Sequence, residues 1–317
     1  NTILQDWGFD LVKLDFLYAA CIFPRRDKTR GRIMSDAMEF LRKITGDKLI
    51  LGCGVPLASS FGFVDYCRIG CDVSLRWEDE TYGRLNFRER NSTSNSLVST
   101  IGRWQLNKRA FLNDPDVFML RSVNNELSSE QRYTLTLLNN IFGGLCFTSD
   151  NLDEYSAPEM NLYRSLFPMK LKDIRQVSSD GDFVEIRFRI GDKDYLALSN
   201  LGGGELKKEI PKGLYYSSKT GDLSFGGVVE LMPYESVCFL TAHRRDYEII
   251  GSEGHIFPGS EVDGFTAKDG CINIAVDNKS LNRGHILIKI PDDIGGCSVN
   301  GEYVKACKHD GLNILKF

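Results

Sequence analysis

Residues 9–18, Phe9-Asp-Leu-Val-Lys-Leu-Asp-Phe-Leu-Tyr18 (FDLVKLDFLY), set Lys13 and Asp15 inside an apolar run close to the chain start. The run reads as a buried strand, LVKLDF at 11–16, and it ends in two opposite charges. Side chains alternate across a strand, so Lys13 and Asp15 leave from one face. Charged groups at the end of an apolar strand suit a parallel sheet that presents its chemistry at its C-terminal edge.

Working outward, residues 1–168 alternate short apolar runs with amphipathic ones. KLILGC (48–53), YCRI (66–69), VFMLR (117–121) and LCFTS (145–149) read as further strands, five in all. Ser35 to Ile44 predicts a serine-capped helix, and Ser96 to Phe111 has helical spacing. Ser128, with Glu130 close by, predicts a capping box before the helix QRYTLTLLNNIF, which Gly143-Gly144 stops. Strand–helix–strand repetition means a parallel sheet with covering helices. An eight-stranded barrel needs three strands more than this count. From about residue 170 the period changes to two. DFVEIRFRI (182–190), KDYLALS after the turn-like Gly191-Asp192, VVELMPYESVCFLTA (228–242), HILIKI (285–290), NGEYV and LNILKF predict antiparallel sheet, with Asn300-Gly301 as a hairpin turn.

The 317 residues are 42% hydrophobic and 26% charged, with formal net charge −4. This is ample for a core and gives no electrostatic case for nucleic acid. The basic stretches RRDKTR (25–30) and HRR (243–245) are short and read as solvated loops. No run approaches the length of a membrane-spanning helix. The chain begins NTILQDW, without Met, and reads as processed or truncated, which leaves export status open. Nine cysteines are too few for a disulfide scaffold and lie mostly on apolar runs, which favours buried thiols and a reducing, cytoplasmic setting. All four histidines lie beyond residue 240, so no Cys/His metal set is expected.

The chemistry-bearing residues are aspartates. Asp15 ends one strand, Asp72 follows another in YCRIGCDV, Asn113-Asp114-Pro115-Asp116 precedes a third, and Ser149-Asp150 closes a fourth. Two carboxylates across a pocket can divide their roles, one charged and one protonated, as glycosidic cleavage requires. Lys13 could keep Asp15 ionised and donate to a sugar hydroxyl, and Arg68 could orient Asp72. Each residue also has a plainer reading. Strand-end aspartates cap loops, Lys13 can face solvent at a rim, and Asp114 and Asp116 can be turn residues beside a proline. Trp7, Trp77 and Trp104 can stack on a sugar or pack in a core. Cys53, between the glycines of LGCGVPL, marks either a close backbone approach or a tight turn.

Taken in order, FDLVKLDF, YCRIGCD, FLNDPDVFMLR and a strand ending in Ser-Asp resemble the catalytic barrel of the retaining alpha-galactosidase (melibiase) clan, glycoside hydrolase families 27 and 36. The resemblance covers about residues 5–240. It implies an α/β chain, a (β/α)8 barrel lacking its first strands over residues 1–170, followed by an antiparallel β-sandwich domain at 171–245 and a β extension or second small β domain at 246–317. It implies that Lys-x-Asp carries the nucleophile, Asp15, and Arg-x-x-x-Asp the acid/base, Asp72, with the two carboxyl groups about 5 Å apart as a retaining mechanism requires. Lys13, Arg68, Cys53, Trp77 and Asp116 would contact substrate, and neither metal nor cofactor is needed. The expected partners are an alpha-linked galactoside and either a second copy of the chain or an N-terminal segment completing the barrel. CGVPLASS (53–60) lacks a tryptophan expected for simple galactose recognition, and Ala58, Ser59 and Ser60 would leave room beside a C2 substituent.

The alternatives are an alpha-N-acetylgalactosaminidase or other alpha-glycosidase of the clan, and a non-catalytic fragment or sugar-binding module that needs a partner chain. Nucleotide binding is the weakest reading, because Leu201-Gly-Gly-Gly-Glu205 follows an antiparallel strand and opens no helix.

Overall fold

The structure is a computed structural model that describes residues 2–317 apart from Pro24, Arg26, Asn86, Arg88, Glu89, Arg244, Arg283, Asn300, Gly301 and Asp310. The expected Asn300-Gly301 turn lies outside the described residues, as do Arg26 and Arg244 of the two basic stretches. The chain forms two compact units, one of residues 1–119, 125–127 and 138–149, the other of 120–124, 128–137 and 150–317.

In the first unit, β1 (Leu11–Leu14), β2 (Leu49–Gly52), β3 (Tyr66–Arg68) and β4 (Leu112–Asp114) make a parallel sheet in that order. A separate parallel pair joins β5 (Val117–Phe118) to β6 (Phe147–Thr148). The helix Arg30–Thr45 turns Ile33, Met34 and Met38 onto Ile50, Val55, Val64, Cys67, Ile69 and Phe111, all buried. Asp65 ties this helix to the sheet, binding Arg42 Nη2 at 2.6 Å and accepting the Ile50 amide at 2.8 Å.

Several local expectations shift. The helix begins at Arg30, capped by Thr29 rather than Ser35, with Thr29 Oγ1 accepting from the Arg32 amide at 3.2 Å. The Ser96–Phe111 region is the helix Thr93–Gly102, capped by Ser92, then a short 3-10 turn at Trp104–Leu106. The capping box before the helix Ser129–Phe142 pairs Ser128 with Gln131, not Glu130, because the reciprocal bond needs the N3 residue. Most consequential is β4. Asn113-Asp114-Pro115-Asp116 was expected only to precede a strand, yet residues 112–114 form a strand of their own, and the expected VFMLR strand shortens to β5. Two of the three β4 side chains are buried and polar, so no apolar pattern marks it.

The second unit is built of antiparallel sheets, as the period of two predicts. Its six-stranded sheet runs in the order Leu223–Ser224, Leu214–Ser217, Ser236–Ala242, Lys193–Asn200, Phe183–Ile190 and Asp173–Asp180. Leu206–Ile210 and Gly227–Leu231 pair separately, and their Ile210 and Leu231 join Phe183, Leu196, Leu198 and Phe239 in one core. The two strands within residues 228–242 therefore enter different sheets rather than pairing as a hairpin. A four-stranded sheet of Glu248–Ser252, Ile286–Ile290, Leu312–Lys316 and Cys307–His309 follows, with its own core around Ile249, Ile288 and Leu315. The glycine cluster at 202–204 is a turn gripped by Asn200, whose Nδ2 donates to the carbonyls of Gly204 (2.7 Å) and Met232 (2.9 Å).

All nine cysteines carry free thiols. Cys21, Cys53, Cys67 and Cys238 are buried, and Cys271 and Cys307 are exposed. Among the described residues, no helix is long and apolar enough to cross a membrane.

Candidate active site

Register aligns the chemistry. Leu14 lies opposite Gly52, Gly52 opposite Cys67, and Cys67 opposite Asn113. One step further along each strand, Asp15, Cys53, Arg68 and Asp114 form a row across the C-terminal edge of the sheet, all facing the same way. The strand pairing carries into this row, since the Cys53 amide donates to the Leu14 carbonyl at 2.8 Å and Leu17 N to the Cys53 carbonyl at 3.2 Å. Lys13 shares the Asp15 face one layer below and is exposed.

Asp15 is also exposed, and its Oδ1 accepts the Phe16 amide at 2.7 Å. A hydrogen bond from the Cys53 thiol, that amide, and the charges of Lys13 and Arg68 together hold its carboxyl below the usual range against a burial effect in the other direction. The Cys53 thiol is pushed up to about 12 by burial and by Asp15, so it stays a donor at ordinary pH. The backbone here is tight. Phe16 adopts a left-handed φ of 53°, and Gly54, with φ 63°, passes so close that a Cβ on it would lie 3.3 Å from Phe16 Cα. Gly54 thus marks a close backbone approach, whereas Gly52 packs against the Val55 and Val64 side chains.

Arg68 is the hub. Its side chain is 5% exposed and forks to three carboxylates, with Nη1 to Asp72 at 3.0 Å, Nε to Asp114 at 3.1 Å and Nη2 to Asp116 at 2.5 Å. Burial opposes its charge, but Asp114 and Asp116 overcome that and raise its pKa. Asp114 is fully buried, whereas Asp72 has 69% of its side chain exposed. Burial raises the Asp116 pKa, and Arg68 opposes the rise. Both Asp116 oxygens are engaged, Oδ1 by Arg68 and Oδ2 by the Val73 amide at 2.7 Å.

The structure therefore gathers Asp15, Cys53, Arg68, Asp72 and Asp116, with Lys13 beneath. Trp77 follows five residues after Asp72, half-buried, with its carbonyl accepting the Ser94 amide at 2.8 Å. Ser60 is fully buried, its Oγ directed to the Leu57 carbonyl and the Cys67 sulfur, while Ala58 is exposed. Sequence reasoning missed Asp114 as an Arg68 partner. The available signal was its alternation with Asp116 around a proline, which a turn explains equally well.

No protein-family model matches the chain. Among solved structures, an alpha-galactosidase from Thermus thermophilus in complex with p-nitrophenyl alpha-D-galactopyranoside is 29% identical, with a TM-score of 0.50 over 61% of this chain and 38% of that one. The chain thus spans well under half the length of that protein. Alpha-galactosidase I from Mortierella vinacea, at 11% identity, shares the fold with a TM-score of 0.58 over 76% of this chain and 69% of its own. A Bacteroides fragilis protein assigned as an alpha-galactosidase/melibiase does so at 15% identity, with a TM-score of 0.59 over 76% and 56%. The chain is thus similar in sequence to the Thermus alpha-galactosidase, and in fold to all three of these proteins.

Proposed function

We propose that this chain carries the catalytic centre of a retaining alpha-galactosidase, with Asp15 as nucleophile and Asp72 as acid/base. The observation that supports this reading best is the placement of both aspartates around buried Arg68 at the C-terminal edge of parallel strands, with Asp15 held ionised. In the first step an Asp15 oxygen attacks the anomeric carbon. The bond to the leaving oxygen breaks, and Asp72 supplies the proton that oxygen takes up. In the second, Asp72 takes a proton from water, whose oxygen attacks the same carbon and releases Asp15, so the configuration is retained. The exposure of Asp72 gives that water access. Lys13, Cys53 and Trp77 are the proposed sugar contacts.

In this reading the first unit is part of a (β/α)8 barrel. β1 is the edge of its sheet among the described residues, and further parallel strands beside it, from the same polypeptide or a second chain, complete the barrel. The antiparallel strands over 171–245 correspond to the β-sandwich domain, and those over 246–317 to a β extension or second small β domain.

The test is intact mass of the full-length polypeptide after incubation with an activated 2-deoxy-2-fluoro-alpha-galactosyl analogue, followed by peptide mapping. One adduct on the Asp15 peptide, absent in Asp15→Asn, is expected. An adduct on a different carboxylate, or none on protein that hydrolyses an aryl alpha-galactoside, refutes the assignment.

A further inference from the structure

We infer that Asp116 is a positioning residue for the acid/base, bracing the Arg68–Val73 segment at two points so that Asp72 is held in place from both sides. This rests on the proposed roles of Asp15 and Asp72. One Asp116 oxygen takes Arg68 Nη2, whose neighbouring nitrogen holds Asp72 Oδ1, and the other takes the amide of Val73, the residue directly after Asp72. Asp72 thus sits between a side-chain anchor and a backbone anchor that share one carboxylate.

Asp116 is itself held firmly. Its amide donates to Asp114 Oδ1 at 2.9 Å, and Asp114 Oδ2 binds Arg68 Nε. Its backbone has φ 80°, a left-handed value that glycine, asparagine and aspartate adopt more readily than other residues. A group 7% exposed with both oxygens engaged has little capacity left for a sugar hydroxyl. Asp72, by contrast, has 69% of its side chain exposed, so the geometry of proton transfer depends on its anchors.

The test compares leaving groups. Alpha-galactosyl fluoride needs little protonation of its leaving group, whereas an alpha-galactosyl disaccharide needs much. Asp116→Asn keeps the backbone conformation accessible and the Val73 acceptor, and removes the negative charge that faces Arg68. For this variant kcat should fall ~10- to 100-fold on the disaccharide and less than ~3-fold on the fluoride, with KM little changed. Asp116→Glu, which keeps the charge but displaces the carboxylate, should shift the same ratio in the same direction, and it serves if the Asn variant does not fold. Equal losses on both substrates would overturn the inference in favour of a purely structural role. A raised KM on both with kcat held would overturn it in favour of sugar contact. Asp72→Ala is the control. If that variant shows neither leaving-group dependence nor rescue by azide, the reading of the site fails and the inference fails with it.

Discussion

Replacing Arg68 with methionine should destabilise the first unit more than removing either of its buried acid partners. Arg68, Asp114 and Asp116 have side chains 5%, 0% and 8% exposed, so one buried cation serves two buried anions, while Asp72 lies largely in water. Removing the cation leaves two adjacent uncompensated carboxylates. Breaking a buried pair in this way costs about 3–5 kcal/mol, and we take about 4 here because the Val73 and Asp116 amides soften the loss. Asp114→Asn instead leaves Arg68 paired with Asp116 and Asp72, and forfeits one charge-assisted bond of about 1.5–3 kcal/mol. All three tryptophans, Trp7, Trp77 and Trp104, lie in the first unit, so their fluorescence in urea reports that unit alone. With a slope of about 2 kcal/mol per molar, Arg68→Met should lower the midpoint by about 2 M and Asp114→Asn by about 1 M. Asp116 already has a raised pKa, so the folded state binds its proton more readily than the unfolded chain does. Without Arg68 that preference grows, and the Arg68→Met defect should shrink as pH falls from neutral toward the unfolded carboxyl value of about 3.9. A midpoint within about 0.3 M of the wild type, or an Asp114→Asn loss as large as that of Arg68→Met, refutes the account of Arg68 as the charge that holds two buried acids.

Two further outcomes follow from the same edge of the sheet. Cys53→Ala removes the largest influence that lowers the Asp15 pKa, so the acid limb of the kcat/KM profile should move to higher pH; an unmoved limb would show that the thiol does not tune the nucleophile. A Cβ at Gly144 would lie 2.7 Å from Leu112 Cβ, so Gly144→Ala must push β4 aside, and it should lower first-unit stability by about 1–3 kcal/mol in the same fluorescence assay.

The fold was legible where periodicity and burial agree. LILG and YCR read as parallel strands because both faces are largely covered, LVKL because its apolar residues flank the exposed Lys13, and FVEIRFRI as an antiparallel one because its faces alternate. β4 was not legible. Its burial is satisfied by charge and hydrogen bonds, with Asp114 meeting Arg68 and Asn113 Nδ2 meeting the Arg103 carbonyl, and such partners are distant in sequence. The start of the first long helix was hidden for a different reason. RGR has no apolar spacing, and only the hydroxyl of Thr29 marks the beginning. At the site, the pairing of Arg68 with Asp72 could be read from an i,i+4 spacing, whereas the twofold grip of Asp116 depends on a left-handed turn that brings residue 116 back beside residue 73.

The distribution of thiols turns the protein into its own reporter of opening. Cys271 and Cys307, at the surface of the second unit, should be alkylated at once under native conditions. Cys67 is a poor nucleophile twice over, shielded from reagent and with a pKa pushed up to about 11. Cys238, fully buried within the six-stranded sheet of the second unit, is shielded in the same way. Each buried thiol therefore reacts only as often as its surroundings come apart. The rates at which mass labels accumulate on Cys67 and on Cys238 report the opening of the two units separately, without any added probe.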